Sequence, residues 1–210
     1  MSEKTFYDLR VYKKYMSPVV DQGQCNICWA IVITQCVQDI LGDPKVNLSF
    51  TTFSREILNG KSCLYTPIFE YVLPYILDHG IYCAKTMKRY YPSAYAKISG
   101  ASGIRNELLK GRSVIAILNA YDGKYSLYNY QKDEIYGYPW WINGEVSQDV
   151  DKWHTVCIIG WGQKDNVPFW ICRNSWGVTF GNEGYFNMLS DHNCCLIENF
   201  IYTFKEILDE

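Results

Sequence analysis

The sequence predicts an α+β protein in which helices come first and an antiparallel sheet follows. Three observations predict it. A continuous apolar stretch runs from Trp29 to about Ile40, and apolar positions recur at helical spacing between about Pro67 and Leu77. Beyond about residue 111 the chain breaks into short β-branched and aromatic runs bounded by turn residues.

In the first helix Ile31, Ile33 and Val37 fill all sides, the pattern of a central buried helix rather than a surface one. The second carries Phe69, Val72, Leu73 and Ile76 on one face and stops at His79-Gly80. A third, short helix is expected around Ile104 to Lys110. The expected strands are Ser113 to Leu118, Thr155 to Gly160, Phe169 to Arg173, Gly184 to Met188 and Ile197 to Phe204. No repeat, low-complexity tract or linker interrupts the chain. It reads as one unit over 1–210, with a helical lobe at about 19–110 and a β lobe at about 111–205. The groove between two such lobes is the expected place for a substrate.

Composition narrows the function classes. The chain has 210 residues, 48% of them hydrophobic and 20% charged, which are ordinary globular values. A formal net charge of -2 and the absence of a Lys/Arg stripe argue against a nucleic-acid partner. Apolar runs such as Trp29 to Ile33 and Val156 to Ile159 fall far short of the roughly 20 residues a membrane-crossing helix needs. The opening Met-Ser-Glu-Lys-Thr has neither a basic region nor an apolar one. That fits a trimmed mature domain, with a lysosomal, vacuolar or secreted setting, or a genuine start, with an intracellular or virion-associated one. Nine cysteines leave at least one thiol unpaired unless it bonds another chain.

Three segments carry chemistry. In the first, Asp21-Gln22-Gly23-Gln24-Cys25-Asn26-Ile27-Cys28-Trp29-Ala30, a polar loop runs straight into the apolar helix and sets Cys28 at its head. Unpaired N–H groups and the positive end of the helix dipole stabilise a thiolate there, and the same N–H groups suit an oxyanion. In the second, Trp153-His154-Thr155-Val156, a histidine stands at the mouth of a buried strand. In the third, Trp170-Ile171-Cys172-Arg173-Asn174-Ser175-Trp176-Gly177, a strand ends in Asn-Ser-Trp-Gly. Cys25-Asn26-Ile27-Cys28 is also a C-x-x-C, the pattern of a redox pair or half a zinc site. Against that reading, no strand leads into it and the adjacent Cys194-Cys195 is poorly spaced to complete a metal site.

Cysteine, histidine and asparagine in this order, within these motifs, resemble the papain and cathepsin family of cysteine proteases, from about Val19 to Phe200. The resemblance implies a two-lobed fold with a helical lobe, an antiparallel β-barrel-like lobe and the active-site cleft between them. It implies an endopeptidase acting through a thioester, with no cofactor. Cys28 would be the nucleophile, His154 its base and Asn174 the residue that orients the imidazole. Gln22 and the Cys28 N–H would form the oxyanion hole, and Trp176 would shield the His154 to Asn174 bond. A peptide or protein is the implied substrate, with a propeptide or protein inhibitor supplied elsewhere.

Further positions follow from the same resemblance. It implies a disulfide between Cys25 and Cys63, whereas Cys36, Cys157 and Cys172, which lie inside apolar helix or strand runs, are read from the sequence itself as buried thiols. The run from Gly160-Trp161-Gly162 to Trp170 resembles the cathepsin B branch, but the paired-histidine occluding loop is missing, so dipeptidyl carboxypeptidase activity is not expected. Asn26-Ile27 stand where the family has Gly-Ser, and Leu64-Tyr65-Thr66 where it has Gly-Gly, which alters the upstream subsites. Trp153 and Phe180 also depart from the pattern. Thr155 adjoins the base, and the S2 floor falls to Asn199 or Phe200 depending on whether Cys194 or Cys195 takes the family's cysteine position. An inactive binding protein of the same fold is the alternative.

Overall fold

The computed structural model describes residues 5–64, 69–121, 123–145 and 152–209. Tyr65 and Thr66 lie outside the described residues. The chain opens with strand β1 (Tyr7–Asp8) and a single helical turn, α1 (Leu9–Tyr12). Helix α2 (Cys28–Leu41) follows, buried continuously from Cys28 to Asp39, as its all-round apolar sequence requires. It ends where Gly42 takes a left-handed conformation (φ 67°) and donates its N–H to the Gln38 carbonyl at 2.9 Å.

Helix α3 (Phe50–Leu58) and helix α4 (Phe69–His79) complete the helical side. Next come β2 (Ile81–Cys83), β3 (Lys88–Pro92), β4 (Tyr95–Ile98), α5 (Gly100–Leu109) and β5 (Val114–Asn119). The remaining strands are β6 (Ile135–Tyr136), β7 (Trp153–Lys164), β8 (Val167–Arg173), β9 (Tyr185–Leu189), β10 (Phe200–Phe204) and β11 (Ile207–Asp209). The large sheet runs β4-β10-β5-β7-β8-β9-β6 with β1 added along β7, and a second sheet runs β11-β3-β2. Among the described residues no helix is long and apolar enough to cross a membrane.

Several elements differ from the sequence reading. Helix α3 is absent from that reading, although Ser49 caps it by accepting the Thr52 N–H at 3.1 Å. The second sheet is absent too, because its strands are short and mix exposed with buried positions. Strand β4, on the helical side of the expected division, pairs with β10 in the large sheet. The last expected strand starts at Phe200 rather than Ile197, since Cys194–Leu196 form a 3-10 turn that Ile197 caps.

Two features fix β7, the strand that carries the histidine. Its far end makes room for β1: a Cβ on Gly160 would lie 2.3 Å from the Tyr7 carbonyl oxygen, and one on Gly162 would lie 2.6 Å from the Phe169 ring. Its inner face packs on α2 beside a fully buried ion pair, in which Arg173 Nη2 meets Asp39 Oδ2 at 2.7 Å. Asp39 also accepts from the Ser17 N–H (2.7 Å) and the Ser113 hydroxyl (3.0 Å), and Arg173 donates to the Ser17 carbonyl at 2.8 Å. One carboxylate thus joins the N-terminal segment, α2, the approach to β5 and the end of β8. Bonds of this kind offset the cost of burying both charges.

Candidate active site

Cys28 is the first residue of α2, and Ile27 before it supplies no side-chain cap, so the leading N–H groups of the helix are left for the thiol and its reaction partners. His154 is the second residue of β7, opposite Leu118 of β5. Asn174 directly follows β8, whose antiparallel pairing with β7 sets Arg173 opposite Cys157. The two ladders therefore bring histidine and asparagine side by side at the mouth of the sheet, facing the head of α2.

His154 Nε2 donates to Asn174 Oδ1 at 2.8 Å, and that oxygen also accepts the Ser175 N–H at 2.8 Å. An amide oxygen only accepts, so Nε2 carries the proton and Nδ1 is left for the Cys28 thiol, to which the imidazole is hydrogen-bonded. Burial pushes the Cys28 thiol up. The His154 charge, its hydrogen bond, and bonds from the backbone and side chain of Thr155 outweigh burial and hold the thiol below its ordinary value. Burial pushes His154 down, yet the Cys28 charge and its hydrogen bond, with the Asn174 bond, leave the imidazole above its ordinary value. Opposed shifts of this sign favour a thiolate–imidazolium pair.

Supporting groups surround the pair. Trp176 stacks on the His154 ring at 4.8 Å, Tyr128 stacks on Trp176 at 4.2 Å, and Phe180 meets Trp176 edge-on at 5.1 Å. Gln22 is oriented at both ends of its amide: Oε1 accepts the Ser175 hydroxyl at 2.6 Å and Nε2 donates to the Cys25 carbonyl at 2.8 Å. The second Nε2 proton remains for the cleft, which Gln22 lines together with Cys28, His154, Asn26 and Trp153. That cleft encloses about 530 Å³. Cys25 is bonded to Cys63, and Cys28 is a free thiol, so the C-x-x-C reading as a redox pair or zinc half-site is overturned. Cys36, Cys157 and Cys172 are buried thiols.

At the positions where the sequence departs from the family pattern, the loop before Cys28 is tied to the segment around Cys63. Asn26 donates from Nδ2 to the Leu64 carbonyl at 2.9 Å and from its backbone N–H to the Cys63 carbonyl at 2.9 Å. Of the two S2 candidates, Asn199 is exposed, and Phe200 lies partly buried with its ring edge-on to Trp153 at 5.3 Å. Neither lines the cavity around Cys28. Tyr128 and Ser175 escaped the sequence reading. Ser175 was visible as the neighbour of Asn174, whereas nothing near Tyr128 in sequence marks it.

A thiol at a helix head, held below its ordinary value and paired with an amide-anchored imidazole beside an open cleft, is the arrangement of an activated thiol and its base. The family model described as papain family cysteine protease matches residues 50–204, and the chain belongs to that family. The match takes in His154 and Asn174 and begins after Cys28. The viral cathepsin of Cydia pomonella granulosis virus (isolate Mexico/1963) is 28% identical over 199 residues, covering 89% of this chain and 58% of that protein. Cathepsin B-like cysteine proteinase 2 of Haemonchus contortus is 32% identical over 118 residues, 54% of this chain and 30% of that one. The chain thus spans about half the length, or less, of these curated relatives. The solved structure of proCathepsin B S9 from Trypanosoma congolense superposes with a TM-score of 0.78 at 19% identity, covering 96% of this chain and 77% of that one, and carries the same fold.

Proposed function

We propose that the chain is a cysteine-type endopeptidase that hydrolyses peptide bonds through a thioester. The observation that carries this reading is the Cys28, His154 and Asn174 arrangement, in which a thiol held below its ordinary value faces an imidazole whose other nitrogen is tied at 2.8 Å. The Cys28 thiolate attacks the carbonyl carbon, forming the C–S bond and moving the carbonyl electrons onto oxygen. Gln22 Nε2–H and the Cys28 N–H donate to that oxyanion. The His154 imidazolium then gives its Nδ1 proton to the amine, the C–N bond breaks, and the thioester remains. Neutral His154 next takes a proton from water as the water attacks the thioester, and the collapse releases the acid and restores the pair.

Asn174 keeps the ring in the orientation that serves both transfers, and Trp176 keeps water off the His154 to Asn174 bond. Peptide or protein substrates follow from this chemistry. Labelling with an epoxide probe for cysteine proteases, beside hydrolysis of a fluorogenic peptide, tests the reading. Both should be lost in Cys28→Ala. Wild-type protein that neither labels nor cleaves would overturn it.

A further inference from the structure

A second cavity, of about 500 Å³, adjoins the cleft on the β side. Ser126 belongs to the walls of both, between the 3-10 turns Gly123–Tyr125 and Leu127–Asn129, so this segment is a shared partition. Tyr128, from the same partition, stacks on Trp176 beside His154. Because His154 protonates the departing amine in the mechanism above, the partition stands on the leaving-group side of the scissile bond. The second cavity opens off the cleft on that side, through the shared wall at Ser126.

The lining of this cavity is aromatic within and charged at the rim. Trp140 stands edge-on to the buried Tyr136 at 5.2 Å and tilted on Tyr125 at 4.9 Å. Three of the hydroxyls are occupied: Tyr136 donates to the Tyr125 carbonyl at 2.7 Å, Tyr130 to the Glu134 carbonyl at 3.0 Å and Tyr125 to Glu145 Oε2 at 2.5 Å. What those rings offer a ligand is therefore their faces and edges. Three carboxylates, on Asp133, Glu134 and Asp165, share the rim with Lys124 and Lys164. Both ammonium groups are engaged locally. Lys164 donates to the Asp133 carbonyl at 2.9 Å, while Lys124 lies 4.9 Å from the Tyr125 ring centroid and 4.0 Å from Glu145.

Ring faces with carboxylates beyond them suit a flat cation on an apolar stem. A guanidinium stacks on Trp and Tyr, keeps its charge at every working pH and presents a fork to carboxylates. We propose that this cavity is a secondary substrate site that receives an arginine side chain from the peptide downstream of the scissile bond. It rests on the peptidase reading for its place on the substrate path. The ligand chemistry stands on the cavity alone.

The test uses internally quenched peptides in which Arg, citrulline, Lys, Glu or Ala occupies each downstream position in turn. One position should show kcat/KM about tenfold higher with Arg than with its neutral isostere citrulline, and lowest with Glu. The variant Asp133→Asn with Glu134→Gln, both exposed residues, should erase that preference. It should still hydrolyse normally a fluorogenic amide that ends at the scissile bond. Calorimetry of an acetylated arginine pentapeptide amide on the Cys28→Ala chain supplies a readout free of turnover, and the double carboxylate variant should abolish its binding. A flat response to Arg at every downstream position overturns the proposal, as does Trp140-dependent binding of a neutral oligosaccharide with none of the arginine peptide. A chain that cleaves nothing yet binds the arginine peptide through Glu134 fails the peptidase reading and upholds the site.

Discussion

Cys28 and Cys36 lie on the same helix and both face β7, yet only one has the environment of a nucleophile. Cys36 Sγ sits 3.5 Å from Cys157 Sγ in the closed interior. There burial pushes the Cys36 thiol well up, and the hydrogen bond and charge of Cys157, with Asp39 nearby, push it further. Burial acts on Cys28 in the same direction, but an imidazole and the Thr155 bonds reverse the outcome, and a cleft opens beside it. Residue type and helix are shared. The difference is a base across the gap and space for a carbonyl.

The largest expected effect is the direct exchange of roles. Cys28→Ala should reduce peptide hydrolysis by several orders of magnitude, up to roughly a millionfold, while Cys36→Ala should keep both turnover and probe labelling. Equal losses in the two variants would erase the distinction. Next is the ion pair beside Cys36. Asp39→Asn leaves Arg173 buried without a counter-charge and should lower stability by about 3–5 kcal/mol in urea unfolding, with the residual folded protein still active. A cost below about 1 kcal/mol would mean that the carboxylate is not what joins the two halves there.

Removing the Cys25 to Cys63 disulfide by Cys63→Ala should cost about 3–4 kcal/mol in the same assay, because it closes a loop with a sequence separation of 38. Smaller again is the pH effect. Activity should rise as Cys28 ionises, below the ordinary thiol range, and fall as His154 loses its proton, above the ordinary imidazole range. Asn174→Ala deletes one of the bonds that raise His154, so the falling limb should move to lower pH. Iodoacetamide titration resolves the thiols: Cys28 should react along the rising limb, and Cys36 only after unfolding. A falling limb that stays in place in Asn174→Ala would deny that bond its part in holding the imidazolium.

Much of this was legible in sequence because it is written in local patterns. The apolar run after Cys28, the histidine ahead of Thr155-Val156 and the Asn-Ser-Trp-Gly stop after a strand are each contiguous, and the folded chain brings the three together. The α+β class followed from the same runs. Helix α3 carried a readable start at Ser49 and apolar positions at Phe53, Ile57 and Leu58, but its many polar residues dilute them. The sheet β11-β3-β2 was hidden for a different reason: its strands are short, and β11 comes from the C-terminal end to pair with the mid-chain β2-β3 hairpin, so no single stretch announces it. The Asn26 to Leu64 bond and the Tyr128 to Trp176 stack are likewise made between loops distant in sequence, by tertiary approach alone.

The pairing of β1 with the far end of β7 has a practical side. Tyr7 lies opposite Trp161, seven residues along the strand from His154, which at about 3.3 Å per residue is roughly 23 Å. A purification handle or fluorescent reporter joined ahead of β1 would begin at that remove from the imidazole and should leave turnover untouched, whereas the same cargo inserted between Gly123 and Asn129 would disturb the Tyr128 and Trp176 stack that flanks His154.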